Sequence, residues 1–324
     1  SCQLFHERQF ENRDEWNARH SPFQYVDEGF TDSTVTDWTP VWSLSKQRQW
    51  LLPTGMLYYG APAERGMARI AADSNGNAAG TSLTDAVLQG LLEVVERDAV
   101  AIWWYNRTSA PAVDLTAFAE PWLAALRAVY SELGREVWVL DVTSDLGIPT
   151  MVAVSRRSDN PVEDIMFGFG AHLDPRIALH RALTELNQLM PAVADASGGD
   201  GYGCDDSDAL RWWRHATVAN QPYLLPDPAQ PARGPQGYKY SPCDDIRAEV
   251  ELIRHRLESK GLELLVLDQT RPDVGIPVAR VIVPGMRPFW TRLAPGRLYD
   301  VPVELGKQPM PTAYENLNPY PMFL

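Results

Sequence analysis

One pattern of elements occurs twice along the chain and constrains its fold more than any other feature of the sequence. Each copy reads as a helix that ends at a glycine, a largely apolar strand, a turn ending in Gly-Ile-Pro, and a second strand. The predicted helices lie at 122–134 and 246–260, and the predicted strands at 137–141, 150–155, 262–268 and 278–283. The repetition predicts one pseudo-repeated helix–strand–turn–strand fold, α/β in the mixed α+β sense, rather than two unrelated domains.

The turns of the two copies also match residue by residue, although the second turn, TRPDVGIP, is longer than the first, TSDLGIP. The matched pairs are Asp141 with Asp268, Thr143 with Thr270, Gly147 with Gly275 and Pro149 with Pro277. This agreement at the turns supports a structural repeat, because turn residues are chosen by local backbone geometry.

Further helices are predicted outside the repeat. Ser82 has the position of an N-cap between a turn-rich loop at 73–82 and a long amphipathic helix from 83 to about 104. Another helix is expected at about 175–191, directly after Asp174, because Pro175 suits a first helical position.

The remaining segments are predicted as strands or loops within one domain spanning 1–324. The segment 38–59 is rich in strand formers punctuated by Pro and Gly. The Gly/Asp-rich stretch 195–208 and the proline-rich stretch 221–243 are predicted loop insertions. The C-terminal tail, 314–324, contains prolines that predict an extended backbone over 318–324.

The composition argues against several classes of protein. The 324 residues carry a formal net charge of -13, so a nucleic-acid partner is not expected. The three cysteines have neither disulfide-framework nor metal-ligand spacing, which favours a reducing, cytoplasmic compartment. No stretch has the roughly 18–20 apolar residues of a membrane helix, and no signal peptide is recognised, so no membrane association is expected.

Four charged residues share one side of the helix predicted at 83–104. Asp85, Glu93, Glu96 and Arg97 fall within about one third of the helix circumference. Mg2+ prefers carboxylate oxygens completed by substrate phosphates, and an adjacent arginine suits a phosphate. The alternative is an ordinary solvated face with Glu93–Arg97 as an i,i+4 ion pair. The apolar flanks of the helix favour partial burial, where unpaired charge is costly.

A second polar face is expected on the helix at 175–191. Arg181, Glu185 and Gln188 have the spacing of one helix face, although an exposed ion pair would give the same spacing. His172, just upstream, has no Cys or Ser partner in a recognisable motif, so we interpret it as a structural residue.

These motifs resemble the YcaO family. The stretch SNGNAAGTSLTDAVLQGLLEVVERDAVAIWW is similar to the family's Asn-Gly-x-x-Ala-Gly loop and Glu-x-x-Glu-Arg helix, and its loop lacks the Gly-Lys-Ser/Thr ending of a Walker A motif. GFGAHLDPRIALHRALTELNQ resembles the family's second ATP-site helix, and the segments at 39–54 and 270–286 also match. The resemblance extends from about residue 37 over nearly the whole chain and is closest to cyclodehydratases of thiazole/oxazole-modified peptides.

The resemblance implies a YcaO-type fold and an ATP site that uses Mg2+. By their motif positions, Glu93, Glu96 and Glu185 would be catalytic residues that hold the metal. The nucleotide-binding residues carried over in the same way are Thr81, Asp85, Arg97, Arg181 and Gln188. Asp85 stands where the family often has Glu, and Thr81 stands where many members have Asn.

Both ends of the chain depart from the family pattern. The family's N-terminal Gly-Lys-Gly strand and Ser…Glu-x-x-Glu-Arg helix are not found, so we expect the sequence to lack its N-terminal portion. Related cyclodehydratases often end in Pro-x-Pro-x-Pro with a terminal carboxylate in the active site, whereas this chain ends PYPMFL. Leu324 is carried over as a catalytic candidate through its terminal carboxylate.

The function implied is ATP-dependent cyclodehydration of Cys, Ser or Thr in a ribosomally made precursor peptide, as in bacteriocin maturation. Azolines would form through phosphorylation of the backbone amide oxygen. Two alternatives stay open: YcaO-type thioamide or amidine formation, and a non-catalytic YcaO scaffold. The expected partners are the precursor peptide and a leader-peptide-binding protein or upstream domain, and a homodimer stays open.

Overall fold

Helices and strands are interspersed along the computed structural model, which describes residues 4–29, 31, 33–61 and 72–324. The helices are α1 (Glu7–Glu11), α2 (Arg13–Arg19), α3 (Thr54–Leu57), α4 (Leu83–Asn106), α5 (Leu115–Phe118), α6 (Pro121–Glu132), α7 (Pro175–Leu189), α8 (Pro191–Ala194), α9 (Ser207–His215), α10 (Ile246–Ser259) and α11 (Arg297–Glu304). The strands are β1 (Trp38–Ser43), β2 (Arg48–Pro53), β3 (Asn77–Ala79), β4 (Arg135–Asp141), β5 (Thr150–Arg157), β6 (Met166–Ala171), β7 (Leu265–Asp268) and β8 (Val278–Ile282). Within this described part, no helix combines the length and hydrophobicity of a membrane span.

The chain forms two compact units. One comprises Ser1–Asp98 and Cys243–Arg297, and the other comprises Ala99–Pro242 and Leu298–Leu324. Cys204 and Cys243 are free thiols, and Cys2 lies outside the described residues. The predicted helices of the repeat are confirmed as α6 and α10, each followed within two residues by a glycine with positive φ.

The sheet of the first unit has the strand order β2-β1-β7-β8-β3, and every neighbouring pair is antiparallel. Val41, Leu57 and Leu265 form a buried cluster against it. The strand-rich interpretation of 38–59 is confirmed for its first part by β1 and β2, whereas Thr54–Leu57 forms the short helix α3. The loop expected at 73–82 contains the short strand β3, because β8 supplies a partner for it.

The sheet of the second unit has the order β4-β5-β6, also antiparallel. β6 is buried throughout, and α7 packs on it at backbone contact. A Cβ at Gly168 would lie 2.2 Å from the Ala182 carbonyl oxygen, and one at Gly170 would lie 2.2 Å from the Ala178 carbonyl oxygen. Both glycines are therefore needed for this approach. The sequence did not predict β6, since glycine is a weak strand former.

The repeated turns make the same hydrogen bonds in both units. In the second unit, the Thr143 N–H donates to Asp141 Oδ1 at 2.9 Å, and the Thr143 hydroxyl accepts from the first N–H of β5 at 3.1 Å. In the first unit, the Thr270 N–H donates to Asp268 Oδ1 at 2.9 Å, and its hydroxyl accepts from the first N–H of β8 at 3.1 Å. The predicted pseudo-repeat is therefore confirmed at the level of single hydrogen bonds.

Asp98 forms a buried ion pair in the first unit. Its side chain is 0% exposed, and its Oδ2 lies 2.6 Å from Nη2 of Arg297, whose side chain is 12% exposed. Asp98 also accepts the Arg287 backbone N–H at 2.9 Å. Because Asp98→Ala removes the carboxylate from a buried, hydrogen-bonded ion pair, we expect it to lower the free energy of unfolding by about 3–5 kcal/mol in urea titrations.

An exposed ion pair supplies the control for this variant. Asp273 and Arg271 pair at 2.5 Å with side chains that are 62% and 73% exposed. Because water screens such pairs, Asp273→Ala should change the free energy of unfolding by less than about 1 kcal/mol. Equal, small losses in the two variants would contradict a stabilising role for the buried pair.

Candidate active site

The start of α4 is fixed by side chains that the sequence singled out. Ser82 Oγ accepts the Asp85 N–H at 3.1 Å, which confirms Ser82 as the N-cap. Asp85 Oδ2 accepts both the N–H and the hydroxyl of Thr81 at 2.9 Å, and its Oδ1 accepts from Gln89 at 3.0 Å. Thr81 and Asp85, which are two of the predicted nucleotide contacts, thus bind each other and order the end of the loop at 73–82.

The acidic face of α4 is mostly shielded from solvent. The Glu93, Glu96 and Arg97 side chains are 24%, 11% and 17% exposed, which confirms the expected partial burial. Arg97 Nη2 lies 3.5 Å from Glu93 Oε1, and Arg97 Nε lies 3.6 Å from Glu96 Oε1. The guanidinium also stacks on Phe289, 3.9 Å from the ring centroid. These contacts hold Arg97 beside two carboxylates.

A cavity of about 130 Å³ within the first unit is lined in part by Arg97. Its other polar lining residues are Asp73, Asn75, Arg280 and Arg287, and Arg280 pairs with Asp73 at 3.0 Å. Among the described residues, Asn75 Nδ2, Arg97 Nε and Arg280 Nε are buried without a hydrogen-bond partner. Unsatisfied buried donors suit a ligand rich in acceptor oxygens.

Sequence reasoning missed the residues that join Arg97 at this cavity. A signal was present, because Arg280 interrupts the otherwise apolar strand VARVI and is only 6% exposed. A buried charge in a strand requires a partner, which here is Asp73. The partner itself could not be identified from the sequence, since it lies 207 residues away along the chain.

The polar face of α7 is attached to the backbone of β6. Glu185 Oε2 accepts the Phe169 N–H at 2.6 Å, and Arg181 Nη1 donates to the Ala171 carbonyl oxygen at 3.2 Å. β6 is an edge strand of its sheet, and α7 packs against it. These two bonds therefore also satisfy backbone polar groups of β6. The predicted face is thus built into the unit and is not a free surface ion pair, although Gln188 is exposed.

His172 lies just beyond β6 in the same unit. The imidazole Nδ1 accepts the backbone N–H of Asp174 at 2.9 Å. The backbone N–H of His172 donates to the Pro149 carbonyl oxygen at 3.1 Å. Burial and the nearby Arg181 guanidinium lower the pKa of His172 to about 4, with Asp174 opposing them. The imidazole is therefore neutral at physiological pH.

The carboxylates fit a magnesium ion that arrives with phosphate. Among the described residues, no three His, Cys, Asp or Glu side chains are grouped so as to hold a metal ion by themselves. Mg2+ usually binds one or two protein carboxylates and completes its shell with water and substrate phosphates. Glu93 and Glu96 supply such carboxylates, and Arg97 between them can offset phosphate charge.

The C-terminal tail is packed into the second unit. The Tyr320 carbonyl oxygen accepts from Trp104 Nε1 at 2.7 Å, and the Phe323 ring lies 5.7 Å from that of Trp213. The last residues before the end, 321–323, are buried, and Leu324 is half-buried. The direction of the chain end is thus fixed by its aromatic anchors, while a catalytic role for the Leu324 carboxylate stays a prediction.

Comparison with known proteins identifies a family and solved structures that this chain resembles. The family model described as YcaO cyclodehydratase, ATP- and Mg2+-binding, matches residues 1–287. A solved structure named "Heterocyclase in complex with substrate and Cofactor" superposes with a TM-score of 0.93 at 44% identity, covering 99% of this chain and 43% of that one. The heterocyclase TruD superposes with a TM-score of 0.89 at 46% identity, covering 99% of this chain and 44% of that one.

Other relatives are more distant. YcaO from Methanopyrus kandleri, solved with AMPPCP and Mg2+, shares the fold with a TM-score of 0.60 at 23% identity, covering 83% of this chain and 70% of that one. An uncharacterised Methanothermobacter thermautotrophicus protein is 28% identical over 267 residues, 81% of this chain and 68% of that protein. The chain spans less than half the length of the two heterocyclases.

Proposed function

The chain belongs to the YcaO family, which binds ATP and Mg2+, and we propose that it carries the catalytic core of an ATP-dependent peptide cyclodehydratase. Its substrate would be a ribosomally made precursor peptide whose Cys, Ser or Thr residues become azolines. The two similar heterocyclase structures support an enzyme that forms heterocycles. The choice of azoline as the product is our inference.

The observation that carries the proposal is the acidic face of α4. Arg97 is held by Glu93, Glu96 and the Phe289 ring, and its Nε has no hydrogen-bond partner within the described residues. A cation held beside two carboxylates suits a magnesium-bound phosphate, because Glu93 and Glu96 would hold the metal and Arg97 would bind the phosphate oxygens.

The proposed reaction forms one ring bond and releases one phosphate. The thiol or hydroxyl attacks the preceding backbone carbonyl carbon, forming a C–S or C–O bond and leaving the negative charge on the former carbonyl oxygen. ATP supplies a phosphoryl group to that oxygen, so that it departs as phosphate while the amide nitrogen loses its proton and a C=N bond forms. The overall products are an azoline, ADP and phosphate, and the atoms of one water leave the peptide.

The protein's work in this scheme is charge neutralisation and positioning. Glu93 and Glu96 would hold Mg2+, and Arg97 would bind a phosphate oxygen. On α7, Glu185 and Arg181 would act on metal and phosphate in the same way, each already oriented by its bond to β6. The remaining proposed nucleotide contacts are Thr81, Asp85 and Gln188. The proposed base is the terminal carboxylate of Leu324.

The proposed partners follow from the substrate. A leader-peptide-binding protein or upstream domain would deliver the precursor peptide, and the chain would act in the cytoplasm, with a homodimer as one possible assembly. The acidic net charge of -13 does not suit a nucleic-acid partner.

Product mass tests the proposal. The full-length protein, ATP, Mg2+, a precursor peptide and its leader-binding partner would be incubated, and the peptide analysed by mass spectrometry. We expect the loss of one water mass per converted residue, located at Cys, Ser or Thr. The control peptide has Ala at each of those positions and should lose none.

The other outcomes separate the alternatives. A gain equal to the difference between sulfur and oxygen would indicate thioamide formation instead. Water loss that persists in the Ala peptide would indicate an amidine. An unchanged peptide under conditions that turn over ATP in a related cyclodehydratase would favour a scaffold.

A further inference from the structure

The fold fixes the tautomer of His172. Its Nδ1 accepts the backbone N–H of Asp174 at 2.9 Å, so this nitrogen carries no proton. A neutral imidazole must then keep its proton on Nε2. Asp174 is itself held in place, because its carboxylate caps α7 by accepting the Arg176 N–H at 2.8 Å. The ring thus presents one N–H donor in a defined direction.

The Nε2 donor has no partner within the described residues, whereas Nδ1 has one. His172 as a whole is 8% exposed, yet Nε2 does not belong to the buried atoms that lack a hydrogen bond. The nitrogen therefore reaches solvent through the small exposed part of the residue. A buried ring with one accessible donor suits a ligand atom that accepts a hydrogen bond.

Three side chains follow one another along the end of β6. Glu185 binds the backbone of Phe169, Arg181 binds the backbone of Ala171, and His172 is the next residue. Arg181 is close enough to His172 to lower its pKa electrostatically. A proposed metal residue, a proposed phosphate residue and a neutral N–H donor therefore share one short stretch of the second unit.

We propose that His172 is a nucleotide-binding residue whose Nε2–H donates a hydrogen bond to a phosphoryl oxygen bound by Arg181. This inference rests on the proposed ATP-dependent function and adds a residue to it. A neutral donor beside Arg181 adds a directed bond without adding a second positive charge. It also replaces the purely structural interpretation of His172 with a double role, in which Nδ1 orders the loop and Nε2 binds substrate.

Two amide substitutions separate these roles. His172→Asn keeps an acceptor near the Nδ1 position, so it should keep the bond from the Asp174 N–H while losing the distal donor. His172→Gln places an amide N–H near the Nε2 position and gives up the loop acceptor. ATP and adenosine affinities would be measured by calorimetry with Mg2+ on the full-length protein, together with the melting temperature.

The expected results differ between the variants. His172→Asn should weaken ATP binding about tenfold, the scale of one hydrogen bond to a charged group, without changing adenosine affinity or the melting temperature. His172→Gln should bind ATP within about threefold of the unaltered protein but melt at a lower temperature. ATP affinity that is normal in His172→Asn, or lower in His172→Gln than in His172→Asn, would overturn the inference alone. Failure of the unaltered protein to bind ATP would overturn the proposed function and this inference together.

Discussion

Replacing Glu93 by glutamine is expected to lower peptide-dependent ATP hydrolysis by about 100-fold, the scale seen when one preorganised electrostatic group is removed from a site. The amide keeps the size of the side chain but removes the charge that would bind Mg2+ and that faces Arg97 at 3.5 Å. Because the change is nearly isosteric, the melting temperature should change little. The measurement is phosphate release with the precursor peptide present, at several Mg2+ concentrations.

A matched carboxylate elsewhere controls for the loss of a helical ion pair. Glu15 pairs with Arg19 at i,i+4 spacing, like Glu93 with Arg97, but its side chain is 61% exposed. Glu15→Gln should leave ATP hydrolysis unchanged. If Glu93→Gln hydrolyses ATP at the same rate as Glu15→Gln, the acidic face of α4 is an ordinary ion pair and has no metal role.

The second large effect is expected when Gly170 on β6 is replaced by alanine, which adds one methyl group. A Cβ at Gly170 would lie 2.2 Å from the Ala178 carbonyl oxygen and 2.5 Å from the Ala182 nitrogen, both backbone atoms of α7. Since neither can move without shifting the helix, Gly170→Ala should cost about 3 kcal/mol of folding free energy or more. The same shift should move Arg181 and Glu185 and abolish ATP hydrolysis.

Gly203 provides the control glycine in the same unit. The atom nearest to a Cβ added at Gly203 would be the Pro191 carbonyl oxygen at 3.5 Å, which is an ordinary van der Waals contact. Gly203→Ala should therefore change the free energy of unfolding by less than about 0.5 kcal/mol in urea titrations. Similar unfolding midpoints for the two alanine variants would contradict the close approach of α7 to β6.

The parts of the fold that the sequence predicted are those encoded locally. Ser82 is an N-cap because its hydroxyl accepts an N–H three residues on, and the turns at Thr143 and Thr270 repeat because each binds an Asp two residues before it. Such contacts lie within a short segment, so residue type and spacing are enough to indicate them.

The parts that the sequence missed depend on distant partners. β6 contains two glycines that look unfavourable in a strand until α7 is seen to pack against them. Asp98 lies beside the recognised Glu-Arg pair, but its partner Arg297 is 199 residues away. The role of His172 depends on a tautomer fixed by a backbone N–H, which no spacing rule reveals.

In the candidate site, too, some features could be predicted from the sequence and others depend on the fold. Glu93, Glu96 and Arg97 were ambiguous as a pattern, because an exposed ion pair has the same spacing. Their burial and the stacking of Arg97 on Phe289 supply the physical reason to prefer a binding face. Arg280 and Asp73, which extend the polar lining of the adjacent cavity, come together only through folding.

The most direct test of the proposed chemistry follows the backbone oxygen. A precursor peptide would be prepared with a heavy-oxygen label in the carbonyl that precedes one acceptor Cys, and treated with ATP, Mg2+, the full-length protein and its leader-binding partner. If ATP activates that oxygen, the label leaves the peptide and appears in the released phosphate, one labelled phosphate for each ring formed. A ring that forms while the phosphate stays unlabelled would contradict the proposed mechanism.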